Sequence, residues 1–435
     1  MKITMHRGAK TIGGTCIEIE HEGTRIIIDM GIPLMDSSGK EIDKNLLKNP
    51  TTDNGILPRV SGLYKEDIPT ISAVLVSHHH QDHYGLINHV HPSIPIYASQ
   101  GTKELIEIGN IFCGPKVNLS NIKIFEHWKE FYINSIIIKS YLMDHSGFDA
   151  SAFLIGTEKN RNTIFYTGDF RAHGNKGNLF KKMIGNPFTN LKVLILEGTN
   201  FIDIVPEYPD EKSVKNAFIK LFKNQSGPSF ICSSGSNIDR IVNLYKAIRT
   251  SRKILVIDLY SAFVLDRLKT VTTRIPQFNW RNIRVYFEGS HKHLLEKTLG
   301  KSSYEKFESR IIKIEDVALL GNRAVIKIPP NRIESVMRRV PNKTGMSTIV
   351  YSMWKGYLKN TTIYDKLCTK HGMDFKYIHT TGHAYREDLV MLANVQNEES
   401  IIIPVHTCHG DDYEKYFRKE RVVKLEDSNN EYTVK

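Results

Sequence analysis

Hydrophobic and polar positions alternate near the N-terminus, where residues 15–20 (TCIEIE) and 24–29 (TRIIID) flank His21, Glu22 and Gly23. A two-residue period on either side of a glycine-containing turn predicts a β-hairpin. Residues 32–70 follow, rich in Gly, Pro, Asp and Asn; a connection of that length is usually functional or ordered by its neighbours. The apolar stretch 72–77 (SAVLVS) then predicts a strand running directly into His78, with a helix starting near Asp82. IPIYAS (94–99) with a helix over 102–111 repeats that order, and IKIFEH, SIIIKSYL, SAFLIG, TIFYTG and KVLILE predict further strands. Past residue 205 the texture changes to short buried strands (PSFICS, KILVID, STIVYS) between helices expected over 211–223, 237–249 and 357–370. That alternation predicts a parallel sheet with helices on its faces. FKYIHT and SIIIPV close the pattern, with a helix over 386–394 between them; no internal repeat or low-complexity tract interrupts it.

The length of 435 residues implies more than one domain, and 40% hydrophobic with 24% charged residues marks a globular chain. The charge balance, 59 − 47 = +12, favours polyanionic partners once a phosphate-handling site exists. Cys16, Cys113, Cys232, Cys368 and Cys408 are odd in number and form no CxxC pair, against a disulfide framework or a thiolate zinc site. The first residues, MKITMHRGAKTIGG, have no signal-peptide core, and no apolar run approaches the ~20 residues that span a bilayer. These features predict a cytoplasmic protein with no membrane partner.

The densest chemistry lies in residues 76–85, VSHHHQDHYG. Alternate residues at a strand end point the same way, so His78 and His80 can meet one metal, and Asp82 with His83 in the following turn can reach a second. Imidazole and carboxylate ligands suit zinc, and also manganese or iron, while leaving positions for water. A dinuclear site needs further ligands, and four polar residues each follow an apolar strand: Asp29, His145, Asp169 and His406. His79 and Gln81 are expected to face away, His89 and His91 are poor ligand candidates, and Cys408-His409 is a rival to His406. His173 has no assignment.

The run His78, His80, Asp82, His83 meets the H-x-H-x-D-H motif in full, and the chain resembles the metallo-β-lactamase superfamily. That resemblance implies an α/β fold, an αβ/βα sandwich. It places His78, His80 and His145 on one divalent metal and Asp82, His83 and His406 on another, with Asp169 bridging and Asp29 orienting a ligand histidine. Glu197-Gly198-Thr199, Thr381-Gly382-His383-Ala384-Tyr385 and Ile403-Pro404-Val405-His406 narrow the likeness to the β-CASP nuclease branch, closest to ribonuclease J (TTGHAYREDL, IPVH). Ser236, Asn237 and Arg240 resemble its phosphate-holding segment, although Ser and Asn are equally ordinary helix caps.

The implied architecture is a sandwich from residues 1–204 and 376–435, interrupted by an α/β β-CASP domain over 205–375, with a single strand of RNA taken between them. The implied reaction is hydrolysis of RNA phosphodiesters by a hydroxide generated at two divalent metals, zinc or manganese, leaving 5′-phosphate and 3′-hydroxyl. Asp82 would orient the water, and His383, held by Glu197, would bind substrate and protonate the leaving oxygen. A histidine at the last motif accompanies RNA-cleaving members. Members commonly continue into a C-terminal assembly domain, whereas this sequence runs only a short way past His406; a homodimer is compatible with the resemblance. The alternatives are a DNA nuclease, a thioester or lactone hydrolase, and an inactive binding subunit.

Overall fold

The computed structural model describes all residues except 36–39, 44, 113–115, 162, 189, 340–345, 360 and 428–429. Cys113 therefore lies outside the described residues; Cys16, Cys232, Cys368 and Cys408 are free thiols. The chain divides into two compact units, one of Met1–Glu107, Pro115–Ile204 and Gly382–Lys435, the other of Ile108–Gly114 and Val205–Thr381.

The first unit holds two mixed sheets. In spatial order the seven-stranded sheet contains Asn430–Thr433, Lys2–Arg7, Cys16–His21, Thr24–Ile28, Ala73–Leu75, Ile96–Ala98 and Ile122–Ile124. The six-stranded sheet contains Ile401–Val405, Val193–Glu197, Ile164–Tyr166, Ser151–Gly156, Ile136–Leu142 and Glu130–Ile133. The predicted hairpin pairs Cys16–His21 antiparallel with Thr24–Ile28. Glu22 and Gly23 both have positive φ, the backbone a tight two-residue connection requires to match strand twist.

One apolar core lies between the sheets and draws Ile3, Ile17 and Ile26 from one, Phe153, Ile195 and Ile403 from the other. The outer face of the first sheet is covered by Ile56, Leu63 and Ile106, so the long connection after Ile32 is tied to the core by its own apolar residues. The outer face of the second is covered by Phe180, Met183, Leu389 and Leu392, from the helices Asn178–Ile184 and Arg386–Asn394. Helix, sheet, sheet, helix is the layered α/β sandwich expected from the sequence.

The second unit is built on six parallel strands in the order Ile283–Tyr286, Ile254–Asp258, Ala324–Lys327, Ser229–Cys232, Thr348–Tyr351 and Asp374–Tyr377. Ile283–Tyr286 and Ala324–Lys327 were not among the strands read from the sequence. The helix expected over 357–370 begins only at Ile363 and ends at His371; a 3₁₀ turn, Lys355–Leu358, precedes it. Helices Glu211–Asn224 and Ile238–Ser251 lie where periodicity predicts them, the first opened by an Asp210–Ser213 capping box. Among the described residues no helix is long and apolar enough to cross a membrane.

Candidate metal centre and active site

Strand direction assembles the site. In the second sheet, Ile136–Leu142, Ile164–Tyr166, Val193–Glu197 and Ile401–Val405 all run the same way, because Ser151–Gly156 is antiparallel to both its neighbours and the other pairings are parallel. Their C-terminal ends therefore share one rim, and His145, Asp169, Glu197 and His406 sit on it. In the first sheet Thr24–Ile28 and Ala73–Leu75 are parallel, which puts Asp29 beside the loop of His78 and His80. Asp29 (φ 63°) and His406 (φ 54°) adopt left-handed backbone. Asp and His tolerate that region better than most residues, and such strain persists where the surroundings enforce it.

The turn of Asp82 and His83 is stitched to the segment after Asp29. Met30 N–H donates to the His83 carbonyl (2.7 Å), Ile32 N–H to that of Gln81 (2.9 Å) and Gly14 N–H to that of Asp82 (3.0 Å). Gly31 lies against the Asp82 carbonyl so closely that a Cβ there would overlap it.

Nitrogen and carboxylate atoms within 4.8 Å of one another define four groups: His78, His80, His145; Asp82, His83, His406; His78, His83, Asp169; and Asp169, Glu197, His383, His406. The structure thus brings together His78, His80, Asp82 and His83 of the motif with His145, Asp169 and His406 of the strand ends, while Asp29 enters none of the groups. Asp169 belongs to two of them, its Oδ2 3.1 Å from His83 Nε2 and 3.9 Å from His78 Nε2, its Oδ1 3.8 Å from His406 Nδ1. His79, His89, His91, Cys408 and His409 enter none among the described residues.

Three of the rings are oriented by a hydrogen bond at Nδ1. His83 Nδ1 lies 2.9 Å from Asp29 Oδ2, His145 Nδ1 2.7 Å from the Gly382 carbonyl, and His406 Nδ1 2.8 Å from Thr199 Oγ1. Asp29 also accepts from Ser77 N–H (2.7 Å), Ser77 Oγ (2.8 Å) and Tyr166 O–H (2.9 Å). Ser77, Tyr166 and Thr199 were not identified from the sequence as site residues. Only the position of Thr199, two residues past Glu197, carried a signal.

Burial and charge set the protonation states. Burial, reinforced by the neighbouring rings, pushes His78 and His145 well below the usual imidazole range, and burial lowers His80 to about 4. All three are thus neutral, as ligation requires. Burial alone would raise Asp82 and Asp169, but adjacent histidines outweigh it and hold both carboxyls low. His383 is pushed up to about 9: burial opposes this, and the carboxylates of Glu197 and Asp169 prevail. Its Nδ1 lies 3.2 Å and 3.3 Å from the Glu197 oxygens, and Glu197, fully buried, also accepts from Phe170 N–H at 2.9 Å.

A divalent cation fits this donor set. His78 Nε2 and Asp169 Oδ1 are buried without a hydrogen-bond partner, and His83 Nε2 and Asp169 Oδ2 meet only each other, at 3.1 Å and in poor geometry; a buried polar group left unsatisfied costs about 1–3 kcal/mol. Imidazole with carboxylate, and no thiolate, is the chemistry of zinc or manganese hydrolase sites.

A family model described as a beta-lactamase superfamily domain matches residues 44–256, a span that holds His78, His80, Asp82, His83, His145, Asp169 and Glu197 but not Asp29, His383 or His406. Just under half of the chain is thus similar to a beta-lactamase superfamily domain. Ribonuclease J of Helicobacter pylori is 27% identical to this chain over 425 residues, covering 93% of it and 56% of that protein. The chain thus spans about half the length of that relative. "Probable RNase MJ4" of Methanocaldococcus jannaschii is 25% identical over 348 residues, covering 75% of this chain and 72% of that protein. The crystal structure of a protein of unknown function from Enterococcus faecalis V583 matches 99% of both chains with a TM-score of 0.75 at 19% identity, a likeness of fold. Likeness to that superfamily implies divalent metal ions, which the histidine–aspartate groups could hold.

The remaining candidates lie in the second unit. Asn237 caps the helix Ile238–Ser251, its Oδ1 accepting from Arg240 N–H at 3.0 Å. Arg240 is fully buried, with its guanidinium 3.3 Å from Glu211. In this conformation it braces two helices rather than facing solvent, while Ser236 remains partly exposed beside Ser234 (3.0 Å). His173, unassigned from sequence, stacks on Tyr385 at 4.4 Å.

Proposed function

We propose that the chain is a metal-dependent ribonuclease of the β-CASP branch, with residues 205–375 as the inserted domain, hydrolysing RNA to 5′-phosphate and 3′-hydroxyl ends. The observation that carries the reading is the Glu197–His383 pair. It sets a protonated imidazole against the histidine–aspartate cluster, with ring centroids 5.0 Å from His145 and 5.7 Å from His406. Hydrolysis of a phosphodiester needs such a proton donor for its poor alkoxide leaving group. The ribonuclease names of the relatives support the same substrate class.

His78, His80 and His145 would hold one divalent ion, and Asp82, His83 and His406 a second, with Asp169 between them; zinc suits the donors and manganese is the alternative. When bound, such ions supply Lewis acidity and lower the pKa of water. Asp82, 17% exposed at its side chain, accepts a hydrogen bond from the attacking water and aims it at phosphorus. As the phosphorus–O3′ bond breaks, His383 gives its Nε2 proton to the departing 3′ oxygen, while Glu197 keeps the ring in place through Nδ1. The charge of His383 also offsets negative charge gathering on the phosphoryl oxygens. Ser236 and Asn237 stand as candidate phosphate contacts; Arg240 would join them only by leaving Glu211.

The test is cleavage of a 5′-labelled single-stranded RNA and its DNA equivalent with zinc or manganese, beside His80→Ala and His383→Ala. RNA-selective cleavage lost in both variants is expected. Absence of cleavage by protein that has bound metal would overturn the reading.

A further inference from the structure

Trp354 and Tyr357 are 59% and 67% exposed on one turn of the second unit, just beyond the strand Thr348–Tyr351. The local sequence, WKGYLK over 354–359, interleaves two aromatic rings with two lysines and contains no acid. The six-membered ring of the Trp354 indole packs against Gly356 so closely that a Cβ there would overlap it; only glycine lets the ring lie there. Tyr357 meets the indole edge-on, with centroids 5.3 Å apart and planes at 90°. The Trp354 carbonyl is tied by Tyr351 O–H at 3.0 Å. Lys355 reaches over the Tyr377 ring, its Nζ 4.4 Å from the centroid. Among the described residues neither Lys355 nor Lys359 has a carboxylate within ion-pair range, and both are exposed.

The indole is thus held against backbone at Gly356 and against Tyr357 while Trp354 stays more than half exposed, beside two exposed lysines that make no ion pair among the described residues. A fixed aromatic face flanked by lysines suits an unpaired nucleobase, whose π-face stacks and whose neighbouring phosphates meet the cations. We propose that Trp354 is a stacking platform for one unpaired base of the RNA, with Lys355 and Lys359 meeting the flanking phosphates. The proposal rests on the ribonuclease reading for the identity of its ligand, but not on the metal centre.

The experiment measures binding of a fluorescent single-stranded RNA by anisotropy, using the full chain carrying His80→Ala so that bound RNA is not cut. Trp354→Ala added to that chain is expected to weaken binding by about fivefold to 100-fold, the range of one lost stack. Trp354→Phe should restore most of it, and the loss should vanish on an abasic oligonucleotide of equal length. Gly356→Ala, which displaces the indole, should mimic Trp354→Ala. Lys355→Ala should lower the slope of log affinity against log salt by roughly one, while Trp354→Ala leaves that slope unchanged. Should Trp354→Ala bind RNA as tightly as its parent, the stacking inference is overturned and the nuclease reading stands. Should the parent bind no single-stranded RNA and the unmutated chain cut none, the nuclease reading falls and the stacking inference with it.

Discussion

Asp29→Asn replaces a fully buried carboxylate that accepts from Ser77 N–H, Ser77 Oγ, Tyr166 O–H and His83 Nδ1, all at 2.7–2.9 Å. Asn is nearly isosteric and tolerates left-handed backbone as readily as Asp, so the φ of 63° adds no new strain and the change isolates chemistry from conformation. The cost lies in the donors. The Ser77 backbone N–H cannot become an acceptor, so the new amide oxygen must face it, and the NH₂ must take the place of Oδ2. Three groups meet Oδ2 there, and the two hydroxyls can rotate to accept. His83 can accept at Nδ1 only by moving its proton to Nε2, the atom that would hold metal.

Loss of such an orienting partner typically weakens metal binding about 10- to 100-fold, roughly 1.4–2.7 kcal/mol. The assay is competition against a chromophoric chelator, with circular dichroism to show that the fold is intact. An Asp29→Asn protein that is folded and holds metal within about twofold of the parent would refute the argument that Asp29 sets the His83 tautomer.

His383→Ala and Glu197→Gln should each lower the cleavage rate by about 100-fold or more, the usual contribution of a positioned proton donor, while bound metal, read by atomic absorption, stays unchanged. Gly31→Ala should do the opposite: its Cβ would push on the Asp82 carbonyl, displacing the Asp82–His83 turn, so metal content and activity should fall together. Away from the site, Glu18 is nine-tenths or more buried, receives His6 and Arg25 at 2.6–3.0 Å, and is lowered from 4.5 to about 2: burial opposes the shift and the two partners outweigh it. Because the folded-state value is the lower one, this stabilisation is complete above about pH 4.5 and disappears as pH falls through 2. Glu18→Gln should therefore cost about 3 kcal/mol at pH 7, with the difference in urea midpoint narrowing steadily below pH 4.5. A difference independent of pH would refute it.

Local pattern reached far into this protein. The strand-to-turn run around His78 reads as a ligand cluster because its geometry is short-range: alternate residues on one strand end, then a turn. Asp29, His145, Asp169 and His406 could be nominated because each ends an apolar strand. The helix Arg386–Asn394 matches its periodicity to the residue. The errors are equally local. A helix over 357–370 fitted the period, yet Trp354 packing on Gly356 draws Lys355–Leu358 into a separate turn and delays the helix to Ile363. Ile283–Tyr286 and Ala324–Lys327, four residues each, were passed over although strands as short as Ala73–Leu75 were read.

By itself, then, the sequence indicated which residues end strands, which could offer ligand atoms, and that two α/β units are present. Tertiary structure decided which strand ends meet. The rim holding His145, Asp169, Glu197 and His406 exists because residues 401–405 pair with 193–197 across some 200 positions of chain, and no local signal encodes that pairing. It also decided the roles of the supporting groups. Ser77, Tyr166 and Thr199 are ordinary polar residues in the sequence, and they matter because burial leaves the Asp29 carboxylate and the His406 ring no water to bond with. The same burial turned Arg240 inward onto Glu211, since a charge placed inside a unit must find its partner there.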